Sequence, residues 1–419
     1  MNLMLLAFLS VAQAGDVTVT LWDGYPEYRP VWERAAREYE KAHPGIKIRL
    51  EFFPLREYER KLCVALPAGA GPDVFRSGLP YMLRFIEAGL ISRPPERVVE
   101  FVRRAYPEWM VECVTHKGEV YAVPIGGGIK MLFWNKRMFR EAGLTHPPRT
   151  WDELIEYARK LTKYDEKGKV IRSGISLRLT GGGSGIAEKW WIFLLQAGGT
   201  ILEETQSGKF HNSYDNQAGR DALKLYIDLL YKYKVDSFDI KHDAEAFALE
   251  QTAMFIREAW VIGYMKEHAP HVEYGTAPLP RFRRVANMGG TDAFWVAEYS
   301  KNKDLAWDFI VWLNRKEYLK EVIRKVGWVT IRKDMDLSDI LEEIPQLRPA
   351  VEMPPDLYAP PYPRAKCVDE VYTRLATRLE RAYRDRSLLD NLEGIARVIR
   401  EAAEETDRIL REWGEYGTE

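Results

Sequence analysis

The chain has 419 residues and a formal net charge of −1 at pH 7, with 29% charged and 46% hydrophobic residues. This length exceeds what one ordinary core supports, so it predicts two domains in a soluble globular protein. The balanced charge gives no electrostatic reason to expect binding to nucleic acid or to an anionic membrane surface. The 8 Asn and 6 Gln are few, a bias that thermophile proteins share.

The N-terminal segment is predicted to direct export. Residues 1–11 are apolar and uncharged, and residues 12–14 (AQA) fit the small-x-small cleavage pattern, so residues 1–14 are assigned to a signal peptide. The apolar run is too short to span a membrane. The alternative is a buried N-terminal strand, but the polar pair Gly15 and Asp16 before the next strand favours cleavage.

The first part of the chain has the pattern of an α/β unit. Residues 17–22 alternate apolar and polar side chains as a strand does, and residues 30–43 have the apolar spacing of a helix. Pro44 and Gly45 end that helix, and a second strand follows at residues 46–52. A strand, a helix and a strand in this order predict a parallel sheet with a right-handed crossover.

The middle of the chain is punctuated by glycines. A short strand at residues 121–124 leads into three consecutive glycines at 126–128, and a Thr150/Glu153 capping box predicts the start of a helix. The glycine-rich loop at residues 181–185 lacks the Lys-Ser/Thr of a P-loop. It is therefore predicted to be a flexible loop at a ligand cleft.

The C-terminal part is predicted to be helical. Its last helix repeats apolar residues in alternating steps of four and three, which places them on one packed stripe. These residues are Leu388, Leu392, Ile395, Ile399, Ala402, Thr406, Ile409 and Trp413.

No local motif indicates catalysis, a cofactor or a metal. The chain has no HExxH, no GxGxxG opening a helix after the first strand and no GxSxG. A glycosidase-type pair of carboxylates stays possible, because its members can lie far apart in sequence. The widely spaced Cys63, Cys113 and Cys367 form no CxxC, and export would permit one disulfide between an undetermined pair.

One segment, residues 132–162 (LFWNKRMFREAGLTHPPRTWDELIEYARKLT), resembles the pattern "YNKDLF…AG…PP-TWDE" of extracellular solute-binding proteins, the receptors of ABC importers. The resemblance is strongest to the maltodextrin and oligosaccharide branch. Further weak matches occur in the right order along the chain, and together they are specific for this superfamily. They are Leu21-Trp22 and residues 43–48 (HPGIKI), 71–75 (GPDVF), 118–124 (GEVYAVP), 251–260 (QTAMFIREAW), 274–280 (YGTAPLP), 300–313 (SKNKDLAWDFIVWL) and 327–333 (GWVTIRK).

The resemblance implies an α/β, two-lobed fold of the periplasmic-binding-protein type (type II), with the ligand cleft between the lobes. We expect lobe 1 to comprise residues 15–122 and 265–312, and lobe 2 residues 123–264 and 313–419. It also implies a monomeric, non-catalytic receptor at the cell surface or in the periplasm, without a cofactor, that delivers a carbohydrate to the transmembrane subunits of an ABC permease. The alternatives are a receptor for a non-sugar solute and a secreted glycan-active enzyme.

The resemblance also implies a set of ligand-binding residues at strand ends, where open α/β sheets bind ligands. Aromatic rings would stack on sugar faces, and polar side chains would bond the hydroxyls. For each tryptophan the alternative is core packing. The glycines at 126–128 replace an acidic contact of maltodextrin binders, which argues for a ligand other than maltose. The predicted site is Trp22, Asp23, Tyr25, Arg76, Ser77, Gly127, Trp190, Trp191, Trp260, Gly290, Asp292 and Trp328.

Overall fold

The computed structural model describes residues 17–241 and 243–418, so the predicted signal peptide lies outside the described residues. Strands β1 to β14 are Val17–Asp23, Ile46–Phe52, Val74–Gly78, Thr115–His116, Glu119–Val120, Val123–Gly127, Met131–Asn135, Lys163–Tyr164, Val170–Arg172, Leu202–Glu204, Phe210–Asn212, Met254–Arg257, Tyr274–Ala277 and Thr291–Val296. Helices α1 to α17 are Arg29–Ala42, Leu55–Ala68, Leu79–Glu87, Glu96–Ala105, Glu108–Glu112, Lys136–Glu141, Trp151–Leu161, Gly185–Gln196, Gln217–Ile227, Asp243–Ala248, Val261–His268, Lys303–Leu313, Lys316–Val326, Ser338–Glu343, Arg348–Val351, Val368–Arg384 and Leu392–Glu412.

A five-stranded sheet in the order β2-β1-β3-β14-β6 forms the centre of the first core. β1 is parallel to β2 and β3, which confirms the predicted βαβ unit, whereas β14 is antiparallel to β3 and β6. The alternation in β1 buries Val19 and Leu21. This sheet aligns the carboxyl ends of β1 and β3 at one edge.

A small antiparallel sheet, β12-β7-β13, joins the two cores. Successive side chains of a strand point to opposite faces. Leu132 of β7 therefore packs in the second core, whereas its neighbour Phe133 packs in the first core against Phe255, with ring centroids 5.0 Å apart. The chain crosses between the cores at this sheet.

The second core is mainly helical, with α8, α9, α16 and α17 packed together. The predicted stripe of the last helix is confirmed from Ile395 to Ile409, whose apolar side chains are buried. Leu392 and Trp413 at the two ends are exposed instead. None of the described helices is long and apolar enough to cross a membrane.

The packing divides the chain differently from the predicted lobe boundaries in several regions, since residues between 244 and 262 join the first core and residues between 277 and 288 join the second. The largest difference lies near the C-terminus. Residues 313–419 were assigned to lobe 2, yet residues 318–350 contribute to the first core. The reason is the apolar side of α13, where Tyr318, Val322 and Ile323 are fully or almost fully buried and the helix contacts α1 and α11. The chain returns to the second core only at Ala365.

Candidate ligand-binding cleft

A cavity of about 200 Å³ lies where the two cores meet. The first core contributes Tyr25, which follows β1, and Trp328, which follows α13. The second core contributes Glu188 of α8 and Tyr362 of the extended segment before α16. A molecule in this cavity would contact both lobes.

Arg76 of β3 organises the wall contributed by the first core. Its buried guanidinium lies 3.1 Å from the Asp292 carboxylate and 3.9 Å from the Asp23 carboxylate. The group is sandwiched between the rings of Tyr25 and Tyr28, at 4.1 and 4.3 Å from their centroids. β1, β3 and β14 are neighbours at this point of the sheet. The buried charges on them hold Tyr25 and Asp292 at the cavity surface.

Asp23 is fully buried beneath this wall. Its carboxylate accepts hydrogen bonds from Trp32 Nε1 at 3.1 Å and from the Tyr25 amide at 3.0 Å. Burial raises the pKa of Asp23 to about 6, although Arg76 opposes the rise. The ionised form therefore depends on the neighbouring guanidinium for stabilisation.

Trp328 reaches the cavity because Gly327 ends α13 in a left-handed conformation with φ of 84°. A Cβ on Gly327 would lie 2.6 Å from the Ala259 carbonyl oxygen, so only glycine allows this close approach. The Trp328 ring meets Tyr25 edge-on, with centroids 6.1 Å apart. Its buried Nε1 has no hydrogen-bond partner among the described residues and can donate to a ligand hydroxyl.

Gly127 is the last residue of β6 and lies beside β14, at the cavity. Its amide donates to the Val329 carbonyl at 3.3 Å, and the Gly128 amide donates to the Gly290 carbonyl at 3.1 Å. A Cβ on Gly127 would overlap the Gly290 carbonyl oxygen. The glycines at this point therefore allow backbone to approach backbone, which a side chain would prevent.

Charged groups from the second core form the opposite wall. Lys130 pairs with Glu258 at 2.7 Å, and both line the cavity. Burial acts to raise the pKa of Glu258, but Lys130, Arg257 and Lys189 together hold it well below its usual range. Behind this wall the Lys189 ammonium donates to the Ile256 carbonyl, and burial lowers the pKa of Lys189 to about 7.

We expect Lys189→Met to remove a rise in stability at alkaline pH. The unfolded lysine holds its proton up to about pH 10.4, whereas the folded one releases it near 7, so the unfolded state binds more protons between these values. The free energy of unfolding of the unaltered protein should therefore gain about 2 kcal/mol from this group between about pH 7 and 9. Urea denaturation across that range tests it. The exposed Lys301→Met is the control and should keep the rise; a rise that persists in Lys189→Met would contradict the assignment.

The structure brings some of the predicted residues together at the cleft. Tyr25, Gly127, Gly290, Asp292 and Trp328 line the first cavity. A second cavity of about 260 Å³ adjoins it, shares Tyr25 and Asp292 with it, and is also lined by Arg76 and Ser77.

The other predicted residues lie outside both cavities. Asp23 is buried beneath Arg76. Trp22 packs against Phe53, with ring centroids 5.3 Å apart. Trp260 begins α11 half-buried, and its Nε1 donates to Glu258 at 3.3 Å.

Trp190 and Trp191 are both fully buried in the second core. Trp190 meets the ring of Tyr214, and Trp191 meets the rings of Tyr362 and Tyr372. Both tryptophans therefore pack in the core, which was the alternative interpretation of the sequence. Trp191 lies directly behind the cavity residue Tyr362.

The sequence analysis missed several residues that line the cavity. Every residue of α8 except Glu188 is buried, and the adjacent Glu188 and Lys189 are the two charges of this apolar helix, which is a signal that the sequence offers. Tyr362 lies among prolines, which keep a crossing segment extended. Other missed residues of the cavity lining, for which no local pattern existed, include Tyr81, Lys130, Glu258 and Arg364.

Within residues 17–241 and 243–418, no group of three His, Cys, Asp or Glu side chains is placed to hold a metal ion. Cys63, Cys113 and Cys367 are all free thiols. Cys113 lines the cavity, and burial raises the pKa of its thiol to about 12. The described cleft therefore offers aromatic rings, paired charges and a neutral thiol.

Comparison with known proteins gives one family. The family described as bacterial extracellular solute-binding protein matches residues 24–320. The maltotriose-binding protein of Pyrococcus abyssi (strain GE5 / Orsay) is 25% identical over 361 residues, covering 83% of this chain and 71% of that protein.

Solved structures agree with the two-lobed fold. A solute-binding protein of an ABC transporter from Thermotoga lettingae, bound to α-D-tagatose, superposes with a TM-score of 0.78 at 26% identity, covering 94% of this chain and 100% of that chain. An ABC substrate-binding protein of Listeria monocytogenes, in complex with cycloalternan, has a TM-score of 0.79 at 17% identity, covering 94% and 99%; at this identity the likeness shows the fold alone.

Proposed function

The chain belongs to the bacterial extracellular solute-binding protein family, and from this premise we propose that it binds an oligosaccharide between its lobes and delivers it to an ABC permease. One observation carries the choice of a sugar. The cavity presents aromatic rings from both lobes, Trp328 and Tyr25 on one side and Tyr362 on the other, together with paired charges. Sugar rings stack on such faces, and their hydroxyls bond to such charges.

The charges of the cleft suit a neutral ligand. Two cations beside the first cavity have an acidic neighbour: Lys130 pairs with Glu258, and Arg76 pairs with Asp292. A third, Arg364, lines the cavity and donates to the Glu112 backbone carbonyl at 3.3 Å. A carboxylate accepts hydrogen bonds and an ammonium donates them, so together they match hydroxyl groups, which do both.

The proposed role is binding without catalysis, by an exported monomer. The family and the structural neighbours are binding proteins. Export is supported by the extracellular character of the family, and a receptor of this kind needs a membrane partner to pass on its solute. Vesicles containing the importer should hydrolyse ATP in response to the solute only when this protein is added.

The binding test is a thermal-shift titration with maltotriose, lactose, mannobiose, α-D-tagatose and cycloalternan. A sugar at 100 times its dissociation constant adds about 2.7 kcal/mol to the stability of the folded state by mass action. We expect at least one saccharide to raise the melting temperature by a few degrees and to be recovered unchanged by chromatography. If no saccharide does so and a charged metabolite does, the non-sugar alternative is correct. Conversion of a saccharide would instead support the enzyme alternative.

A further inference from the structure

The two lobes also touch outside the cavity, at the glycine-rich loop of residues 181–184. Gly182 and Gly183 have φ of 60° and 63°, a left-handed conformation that favours glycine. The loop faces α2 of the first core, where a Cβ on Gly183 would lie 3.5 Å from Arg56 Nη2. Ser184 contacts Tyr81, the α3 residue at the junction of the two cavities.

Opposite charges face each other beside this contact. α16 of the second core contacts α3 of the first, and the second cavity lies between Arg56 and Arg84 on one side and Asp369 on the other. Burial raises the pKa of Asp369, and Arg84 and Arg56 oppose that rise, so the carboxylate senses both cations. Asp369 has no salt-bridge partner within 4.0 Å among the described residues, which leaves its charge available across the boundary.

On the first-core side of this contact, only one of the two arginines forms a salt bridge with a residue of its own core. Arg56 pairs with Glu59 at 2.8 Å, whereas Arg84 contacts the thiol of Cys63 at 2.9 Å and no carboxylate. Among the described residues, Arg84 thus has no carboxylate within 4.0 Å, and Asp369 is the acidic residue across the second cavity from it. The electrostatic attraction between Arg84 and Asp369 acts across the opening of the second cavity.

We propose that the loop 181–184, Arg56, Arg84 and Asp369 form an interlobe latch that stabilises the closed lobes without touching the ligand in the first cavity. None of these residues lines the first cavity. The latch raises the closed population of the ligand-free protein, and by the linkage of closure to binding it raises the affinity for any solute that bridges the lobes. The effect on affinity rests on the proposed function, whereas the effect on closure does not.

The test is a charge-reversal cycle with Arg84→Glu, Asp369→Arg and the double variant. Exposed charge pairs contribute modestly, so each single reversal should weaken binding of maltotriose, used as the probe, about three- to tenfold. The ligand-free radius of gyration, measured by small-angle scattering, should increase in both singles and return in the double variant. Arg37→Glu, an exposed reversal on α1, is the control for net charge.

Ionic strength provides a second readout of the latch. Between about 0.01 M and 1 M salt the Debye length falls from about 30 Å to 3 Å, so the unaltered ligand-free protein should open as salt is added. The single variants place like charges across the boundary, so added salt should not open them further. Singles that match Arg37→Glu, or a double variant as open as the singles, would overturn the latch. If the unaltered protein binds no saccharide of the thermal-shift panel while these radius changes are intact, the proposed sugar function is rejected and the latch is kept.

The loop contribution has its own matched pair, Gly183→Leu and Gly182→Leu. Both glycines have nearly the same φ, so leucine imposes similar backbone strain at each. Gly183 faces Arg56, whereas a Cβ on Gly182 meets nothing within 4 Å. Gly183→Leu should increase the radius of gyration and Gly182→Leu should not; equal radii would remove the loop from the latch.

Discussion

Replacing Arg76 by leucine is expected to lower the free energy of unfolding by about 3–5 kcal/mol at neutral pH. The guanidinium is buried between two tyrosine rings and faces two carboxylates, of which Asp23 is fully buried. Leucine would leave the Asp23 carboxyl desolvated and without a counter-charge. Urea denaturation with the folded signal from tryptophan fluorescence measures the change.

The pH dependence of this loss distinguishes the mechanism from simple loss of packing. The pKa of Asp23 is already raised to about 6, and removing Arg76 removes a cause that lowers it. Below about pH 5 the carboxyl is protonated in the folded variant, so the loss should shrink as pH falls from 7 to 5.

Two further variants provide the controls for Arg76. Adding Asp23→Asn to Arg76→Leu should recover part of the lost stability, because the unpaired charge is gone. The Tyr25 amide and Trp32 Nε1 bond different oxygens of Asp23, so only one of these donors keeps an oxygen partner and the recovery should be incomplete. Arg315→Leu, an exposed arginine over the Trp312 ring, should cost less than about 1 kcal/mol. A similar small cost for Arg76→Leu would show that the buried cluster is not what holds this wall.

Replacing Trp328 by alanine is expected to weaken oligosaccharide binding about 10- to 100-fold, from the loss of about 1–3 kcal/mol of stacking and burial. The ring lies half-buried in the first cavity beside Tyr25, and its Nε1 is unpartnered. Isothermal titration with the best saccharide of the thermal-shift panel measures the change. Because the ring is only half-buried, the melting temperature of the ligand-free protein should change little.

Other tryptophans serve as comparisons for Trp328. Trp413→Ala, on the exposed end of α17, should leave affinity unchanged. Trp260→Ala tests the sequence-based site directly, since Trp260 lines neither cavity but donates to the cavity residue Glu258. We expect it to weaken binding less than Trp328→Ala. The opposite order would place the sugar deeper, against α11, and would support the site inferred from sequence.

The parts of the fold that local rules determine were predictable. The Thr150 half of the predicted capping box is confirmed, because the Glu153 amide donates to Thr150 Oγ1 at 3.2 Å. The Glu153 carboxylate accepts instead from the Arg149 amide, one residue before the N-cap, at 2.7 Å. The first βαβ unit is also confirmed. It was predictable because strand alternation and helix spacing depend only on residues that are close together in the sequence.

The candidate site was predictable only where it lies at strand ends. Tyr25 and Arg76 follow or belong to recognisable strands, whereas Trp190 and Trp191 belong to a helix that is buried on nearly all sides. In such a helix no apolar stripe marks the face that meets a ligand, so the choice between core and site could not be made from spacing. Tyr362 reaches the cavity through a long irregular crossing, which leaves no periodic pattern.

The order of strands in the first sheet also constrains how the protein is made. β14 lies between β3 and β6, so the sheet cannot be completed until the chain has been synthesised past Val296. The second core likewise waits for α16 and α17, which end at Glu412. Neither lobe can form early on a ribosome, and such non-local pairing folds slowly. The nascent chain therefore lacks a completed lobe for most of its synthesis, which is the form that a chaperone or a translocation pore would encounter.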